Sequence, residues 1–520
     1  MTQNPPATEP GEVPAKSLPP DQGVGDRPAA RPARAALLSG LACGAVTLSV
    51  PVIANWPLIT SPIIEDSDFA ANSLLVDKAE SFRLLIGNYS RFGFNHPGPA
   101  LLYAQAVGDV LVHRMSGIAP SSFGGQFVGI LILNACCVGV VCAILHSVTG
   151  RRTAAVAILA LLPLINVWEP YALATTWMPG AYIAPFLLMT VAAAAVAAGH
   201  WAHLWALIAG ASLCVHGHVA FVMFAAVTAA VAIAAGWLRV RRGAAGPTRR
   251  QVLVSASVLV IFLMPIVANL LLHWPGEFAK YLGFVDSASV FTPRTWGDVA
   301  AFIGSYWVRS GGWMLGLVVL AGGLAVVARS ADRGNAGVRF RLVVIGFAAL
   351  ETALFAVYAA RGVDDLQYHY VGWFILTAPL LVLWAGLDVV MLALDRRSAP
   401  HGRLAGVILC AVLAAGLLVV GRTANPYRGM PADVAQALPA GDVRISFHLD
   451  GWPAGLGLLE HARRQGAQAC VEGQMWAFLV TPALVCSDRS PGPRVLVLGP
   501  GEPRPEQVIF DDGSTALVGN

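Results

Sequence analysis

Long apolar runs recur along the 520-residue chain, and they constrain its fold more than any other feature. A helix needs about 20 residues to cross the roughly 30 Å of hydrocarbon in a bilayer. Only 12% of the residues are charged and 56% are hydrophobic, whereas soluble domains average roughly 25% charged. We therefore predict an all-α polytopic membrane protein with about eleven transmembrane helices. The candidate runs lie at 35–55, 124–147, 153–167, 180–199, 202–215, 219–238, 252–273, 311–329, 340–360, 370–394 and 402–421.

Arginine clusters between these runs predict how the chain is oriented. Lys and Arg in short loops remain cytoplasmic, and the clusters lie at 151–152, 239–250, 329–341 and 396–403. If the predicted runs alternate in direction, every cluster falls on the side of the N-terminus, which we therefore expect to be cytoplasmic. The net charge is only +4 and is dispersed among these clusters, so we expect no nucleic-acid partner.

A further apolar stretch, at 99–115, is too short to count as a span. From Pro99 to the polar His113, a helix would be roughly 21 Å long at 1.5 Å per residue, which is less than the thickness of the hydrocarbon layer. Gln105, Asp109 and His113 recur at every fourth position, which places them on one face of a helix. We interpret 99–113 as an amphipathic helix that lies along the outer membrane surface.

The chain divides into three parts by composition. Residues 1–34 are rich in Pro, Ala and charge and have no periodic apolar face, which predicts a disordered cytoplasmic tail. Residues 35–421 form the predicted transmembrane core, with 56–123 as its first extracytoplasmic loop. Residues 422–520 predict a small extracytoplasmic α/β domain. Its strand patterns lie at 443–447, 468–471 and 494–498, and a helical pattern lies at 453–465.

Two of the eight cysteines, Cys470 and Cys486, lie in polar sequence. Both belong to the predicted extracytoplasmic domain, where an oxidising compartment permits disulfides. The sequence leaves two alternatives, a disulfide between them or two separately buried thiols.

Carboxylates are concentrated directly after the first apolar run, at Glu65, Asp66 and Asp68. Like charges this close are costly to hold together unless a cation or a metal relieves them. One of the three is therefore a candidate general base. The alternative interpretation is a solvated cluster that caps the next helix, because Asp and Ser are favoured at helix N-termini.

The same loop continues with the stretch Gly87–Pro99, which reads GNYSRFGFNHPGP, and with Tyr103 beyond it. This motif and the long acidic loop resemble the GT-C superfamily of integral-membrane glycosyltransferases, which includes protein mannosyltransferases and mycobacterial arabinofuranosyltransferases. The resemblance implies inverting transfer of a sugar from a polyprenyl-phosphate donor to an extracytoplasmic glycan, lipid or protein acceptor, at the plasma (inner) membrane of a bacterium. It also implies that Asp68 is the base, assisted by Asp66 or Glu65.

Other polar residues on the predicted outer face complete the candidate site. A guanidinium such as that of Arg91 binds phosphate oxygens bidentately. Glu169 is similar to a second-loop acidic residue of the superfamily, which implies contact with a metal or with the acceptor. The pair His216 and His218 is interpreted either as two metal ligands or as the lining of a polar cavity. The candidates for binding the donor phosphate or the substrate are Arg91, His96, Tyr89, Glu169, His218, Arg361 and His369.

Two other functional classes stay open at this point. A transporter or flippase would need ionisable residues near the midplane and a repeat of broken helices, whereas the ionisable residues here gather at the ends of the runs. A non-catalytic component of an envelope-polysaccharide assembly would leave the acidic loop without a role. The sequence indicates no particular cofactor and leaves open a divalent cation at the acidic loop. The expected partners are the lipid-linked sugar, the acceptor and membrane lipids.

Overall fold

The computed structural model describes residues 30–287, 294–309, 336–395, 422–505 and 507–519. These ranges are mostly helical, as the apolar runs predict. The α-helices are α1 (Ala30–Ala54), α2 (Trp56–Ile59), α3 (Ser67–Glu80), α4 (Ala100–Gly108), α5 (Ser122–Thr149), α6 (Arg152–Leu161), α7 (Leu164–Trp168), α8 (Met178–Ala181), α9 (Ile183–Ala197), α10 (Leu204–Gly217), α11 (Phe221–Arg241), α12 (Arg249–Leu272), α13 (Gly276–Ser287), α14 (Trp296–Arg309), α15 (Ala336–Arg361), α16 (Thr377–Asp395), α17 (Ala432–Gln436), α18 (Trp452–Arg464) and α19 (Ala477–Val480). A π-helix covers Asp109–Met115, and 3₁₀ helices cover Trp201–His203, His369–Leu376, Gln474–Trp476 and Pro482–Leu484.

Seven helices in the described part of the chain are long and apolar enough to cross a membrane. They lie at Ala33–Ala54, Ser122–Thr149, Met178–Ala197, Phe221–Arg241, Arg249–Leu272, Arg339–Arg361 and His369–Val389. All seven coincide with predicted runs, which confirms the all-α polytopic architecture. The predicted runs at 153–167 and 202–215 form shorter helices. The runs at 311–329 and 402–421 lie outside the described residues, so the total of eleven stays a prediction.

Helix α9 lies at the centre of the helical core. All of its residues from Ile183 to Ala197 are buried, and it packs against α5, α10, α11 and α15. Small residues allow this close packing: a Cβ added at Gly210 of α10 would lie 2.7 Å from the backbone nitrogen of Met189. Close approach through small side chains is typical of helix pairs in membranes, where dispersion contacts replace the hydrophobic effect.

The predicted helix at 99–113 is present as α4 and the π-helix that follows it, but its polar stripe faces protein instead of water. Gln105 and Asp109 are fully buried; Gln105 donates to a backbone carbonyl at 3.3 Å, and Asp109 lies 3.6 Å from the Arg114 guanidinium. His113 is half-buried and bonds a carbonyl at 2.8 Å. The sequence correctly predicts that these residues share one face, and the structure shows that this face packs against protein. The position of the helix along the outer membrane surface stays a prediction. The exposed side chains include the apolar Val107, Leu111 and Met115 as well as Arg114.

A five-stranded sheet forms the C-terminal domain, as the strand patterns predict. Its strands are β3 (Val443–Phe447), β4 (Ala469–Val471), β5 (Arg494–Leu498), β6 (Phe510–Asp511) and β7 (Ala516–Gly519). Their order is β4-β3-β5-β7-β6. Strands β4, β3 and β5 are parallel, and β7 runs antiparallel to both of its neighbours, β5 and β6. Helix α18 connects β3 to β4, because parallel neighbours need a crossover. A disulfide joins Cys470 to Cys486, which decides between the two alternatives left by the sequence.

The C-terminal domain packs directly on helix α3. Ala70, Ala71 and Leu74 of α3 belong to the same apolar core as the sheet and α18. Gly457 permits the contact, since a Cβ there would overlap the backbone carbonyl of Glu65. The domain is therefore packed against the helix that begins with the acidic cluster.

Candidate functional site

A cavity of about 1230 Å³ lies where the first loop, the ends of several helices and the C-terminal domain meet. Pockets for small ligands usually measure about 300–1,000 Å³, so this volume accommodates a sugar with its phosphate. Six of the predicted site residues line it: Asp68, Tyr89, Arg91, His96, His218 and Arg361.

The motif Gly87–Pro99 folds as a β-hairpin along one wall of the cavity. Its strands are β1 (Tyr89–Ser90) and β2 (Phe94–Asn95), which pair antiparallel. Gly93 closes the turn at a φ of 81°, a conformation that favours glycine. A Cβ at Gly98 would overlap the His216 ring. The glycines of the motif therefore serve the turn and the close approach of the hairpin to the end of α10.

Asp68 lies in the first turn of α3, with its carboxylate in the cavity wall. Its Oδ2 accepts a hydrogen bond from the Trp177 indole N–H at 2.8 Å, and its Oδ1 accepts one from the Tyr89 hydroxyl. Burial and the negative charge of Asp68 raise the pKa of the Tyr89 phenol, which keeps Tyr89 a donor. The two donors fix the carboxylate, and each oxygen retains a lone pair that could accept a proton.

The other two carboxylates of the acidic cluster do not line the cavity. Glu65 is 2% exposed, and it accepts hydrogen bonds from Ser73 at 2.6 Å and Gln126 at 3.3 Å. Asp66 precedes α3 and accepts a hydrogen bond from the Tyr427 hydroxyl at 3.0 Å. Burial raises the pKa of both carboxyls. The structure therefore does not bring Glu65 or Asp66 into the cavity with Asp68, because protein groups hold both carboxylates elsewhere.

Two arginines supply positive charge to the cavity. Arg91 forms an ion pair with Asp364, and its guanidinium lies 4.9 Å from the centre of the Tyr368 ring. Arg361 lines the same cavity, and within the described ranges it has neither an ion pair nor a hydrogen bond. Arg361 is thus the cation that is available to an anionic ligand, whereas an anion would have to compete with Asp364 for Arg91.

His96 and His218 meet inside the cavity. Their ring centroids are 4.2 Å apart. Burial, and then the proximity of His218, lower the pKa of His96 well below its ordinary value, and burial lowers the pKa of His218 to about 4. His216 takes part in the protein's own hydrogen bonds through both ring nitrogens, which disfavours the interpretation of His216 and His218 as two metal ligands.

Two predicted site residues lie elsewhere. Glu169 directly follows α7, and it does not line the cavity. His369 begins a 3₁₀ helix, and its ring stacks on Phe302 with centroids 5.7 Å apart. The structure therefore does not bring Glu169 or His369 into the cavity with the other candidates.

The donor set of the cavity does not fit a divalent cation. Among the residues that the structure describes, no three His, Cys, Asp or Glu side chains are grouped as metal ligands. The two oxygens of Asp68 accept from Tyr89 and Trp177, and Asp364 is paired with Arg91. We therefore derive no chemical step through a metal.

Several lining residues escape sequence reasoning. Trp177 falls at the end of an apolar run, where an anchoring role at the membrane surface is the usual interpretation, yet it bonds Asp68 across 109 positions of sequence. The C-terminal domain contributes Trp452, Trp476 and Phe478 to the cavity. No local spacing connects these aromatic residues to the first loop, so only the tertiary packing reveals them.

Comparison with known proteins yields distant structural likenesses. No protein-family model and no curated protein matches the chain. The apo crystal structure of the Archaeoglobus fulgidus oligosaccharyltransferase aligns at 11% identity and a TM-score of 0.35, covering 82% of this chain and 64% of that chain. The archaeal oligosaccharyltransferase AglB from Archaeoglobus fulgidus, in complex with an inhibitory peptide and a dolichol-phosphate, aligns at 11% identity and a TM-score of 0.38, covering 88% and 69%.

The chain thus spans about two thirds of the length of these two enzymes. A likeness this distant assigns neither a substrate nor a catalytic residue to this chain.

Proposed function

We propose that this protein is an integral-membrane glycosyltransferase that moves a sugar from a polyprenyl-phosphate donor to an extracytoplasmic glycan, lipid or protein. The observation that carries the proposal is the convergence of the Asp68 carboxylate, the Arg361 guanidinium and two histidines on a single cavity. The cavity is bordered by helices long enough to span a membrane, so a lipid-borne donor could present its sugar there without leaving the bilayer.

Asp68 acts as the general base in this proposal. It takes the proton from the acceptor hydroxyl while the acceptor oxygen bonds to the anomeric carbon. The bond between that carbon and the phosphate oxygen breaks, its electron pair stays with the phosphate, and polyprenyl phosphate leaves. Attack opposite to the leaving group inverts the anomeric configuration. General-base catalysis of this type typically contributes about 10²–10⁴-fold.

The arginines neutralise the leaving phosphate. Arg361 is available at once, whereas Arg91 becomes available when the phosphate displaces Asp364. We therefore expect Arg361→Gln to raise the KM for the donor more than Arg91→Gln does. The phosphate carries one negative charge before the reaction and gains a second as the bond to the sugar breaks, so both changes should raise the donor KM and also lower kcat. A larger KM effect of Arg91→Gln would contradict this assignment.

The activity is testable with the purified protein reconstituted in sealed lipid vesicles. The assay supplies radiolabelled polyprenyl-phosphate sugars one by one, with a cell-envelope extract as the acceptor, and measures free polyprenyl phosphate and labelled product. Release of the lipid phosphate together with a labelled acceptor supports the proposal. Movement of the intact lipid-linked sugar across a bilayer without cleavage would support a flippase instead. If the protein neither cleaves the lipid-linked sugar nor moves it, a non-catalytic role is indicated.

A further inference from the structure

Two histidines of the cavity have tautomers that the backbone fixes. The Val219 N–H donates to Nδ1 of His96 at 3.3 Å, and the Ala220 N–H donates to Nδ1 of His218 at 3.1 Å. A backbone N–H can only donate, so neither Nδ1 carries a hydrogen. A neutral imidazole must then carry its hydrogen on Nε2.

The two Nε2–H groups are left as donors to the cavity. In the part of the chain that the structure describes, no side chain or carbonyl accepts a hydrogen bond from either one, although both rings line the cavity. His216 provides the contrast in the same segment. Its Nδ1 accepts from the Ala100 N–H at 3.2 Å, and its Nε2–H donates to the Phe262 carbonyl at 2.8 Å. Both ring nitrogens of His216 therefore bond to protein groups, whereas the Nε2–H groups of His96 and His218 can donate to a ligand in the cavity.

The surroundings keep this pair uncharged. Rings with centroids 4.2 Å apart cannot both carry a positive charge without strong repulsion. Aromatic side chains lie beside them with ring centroids 5.8 to 6.4 Å away, and apolar neighbours stabilise a cation less well than water does. These aromatic neighbours are Phe94, Tyr182, Phe221 and Tyr358.

We infer that the Nε2–H groups of His96 and His218 bind a hydroxyl oxygen of the sugar that is transferred, an inference that rests on the proposed function. Uncharged donors among aromatic rings suit an uncharged oxygen, since a phosphate is better bound by the guanidinium of Arg361. A site built to bond a hydroxyl rejects a ligand that lacks it, because its donors are then left unpaired. The pair thus selects the sugar, and it is distinct from the groups that hold the phosphate.

Nitrogen NMR tests the tautomers without any assay of activity. The full-length protein, labelled with ¹⁵N-histidine and reconstituted in lipid bilayers, is compared with the variants His96→Asn and His218→Asn to assign the two rings. The wild-type signals that are absent from a variant's spectrum belong to the replaced ring. We expect these signals to show an unprotonated Nδ1 and a protonated Nε2 at neutral pH. A protonated Nδ1 in either ring, or two protonated nitrogens, would overturn the inference.

Two substitutions at His218 separate the cavity donor from the backbone contact. Asparagine retains an acceptor near Nδ1 and loses the donor at Nε2, whereas glutamine reaches the position of Nε2 with an amide N–H. The probes are short-chain polyprenyl phosphate and the same lipid carrying a mannosyl or an arabinofuranosyl group. We expect His218→Asn to weaken binding of a sugar-bearing lipid by about five- to tenfold, the value of one hydrogen bond. Binding of the sugar-free lipid should not change.

His218→Gln should restore most of the lost affinity, and His461→Asn, a change in the C-terminal domain outside the cavity, should have no effect. Equal weakening of both lipids would mean that the pair binds phosphate, and no weakening of either would mean that it binds neither group. Both outcomes would overturn the inference. Failure of every lipid phosphate to bind the wild-type protein would instead contradict the proposed function.

Discussion

Asp68 differs from its acidic neighbours in what surrounds its carboxylate. Asp66 and Glu65 bond to hydroxyl and amide groups away from the cavity, whereas Asp68 is held in the cavity wall by Tyr89 and Trp177. Hydrogen bonds to a charged group contribute about 1.5–3 kcal/mol. At the scale of single residues, the site therefore depends on donors that fix the orientation of one carboxylate.

Replacing Trp177 with phenylalanine tests this dependence, because it removes the indole N–H and retains an aromatic ring. We expect kcat to fall by roughly 10- to 100-fold, the equivalent of one hydrogen bond to a charged group, with little change in the donor KM. The measurement is steady-state release of polyprenyl phosphate. Trp237→Phe, at an exposed position of α11, is the matched control, and an equal response of the two variants would refute the positioning role of Trp177.

The sequence predicts part of this residue-scale arrangement. Three adjacent carboxylates are equivalent by composition, and only the resemblance of the loop to a known superfamily singled out Asp68. Which carboxylates face the cavity depends on the start of α3 and on partners such as Tyr427, which lies 361 positions away. Long-range partners of this type leave no periodic pattern in the sequence.

At the scale of helices, apolar periodicity predicts the spans well but does not predict what satisfies their polar groups. The polar residues of the helix at 100–115 bond to protein, although the same stripe is typical of a helix that faces water. Ionisable residues gather at the ends of the runs in the sequence, yet Glu351 is fully buried in the middle of the spanning helix Arg339–Arg361, whereas the equally buried Asp388 lies near the end of His369–Val389. Glu351 accepts a hydrogen bond from Thr228 at 2.7 Å, and Asp388 pairs with Arg341.

The ion pair of Arg341 on α15 and Asp388 on α16 should respond asymmetrically to mutation. Asp388→Leu leaves a buried guanidinium without its partner, which typically costs about 3–5 kcal/mol. The double variant Arg341→Met/Asp388→Leu removes both charges, and we expect it to recover most of that loss. Thermal unfolding in detergent, followed by tryptophan fluorescence, measures the difference. A double variant no more stable than Asp388→Leu would show that the two charges do not compensate each other.

At the scale of the whole molecule, the C-terminal domain and the helical core form one site. The domain shares an apolar core with α3 and supplies aromatic residues to the cavity. Its strands and its helix were predictable because alternation and turn residues are local signals. The packing of the domain on α3 was not predictable. The role of Gly457 becomes visible only in the tertiary structure, where it lies against the backbone of Glu65.

The arginine clusters predict that the C-terminal domain lies outside the cytoplasm, and the disulfide between Cys470 and Cys486 favours the same side because disulfides form in oxidising compartments. We therefore expect alkaline phosphatase fused at the C-terminus to be active on the outer side of the plasma membrane. As the counterpart, a reporter that is active only in the cytoplasm is fused at the same C-terminal position and should be inactive. Activity of the cytoplasmic reporter would reverse the proposed topology and place the cavity on the other side.

The central claim is that Asp68 removes a proton from the acceptor during sugar transfer, and the most direct test compares Asp68→Asn with Asp66→Asn. The two changes are chemically identical and lie two residues apart, but only Asp68 lines the cavity. With a donor that the wild-type protein cleaves, single-turnover release of polyprenyl phosphate should fall about 10²–10⁴-fold in Asp68→Asn and remain near wild type in Asp66→Asn. Near wild-type release by Asp68→Asn would contradict the account.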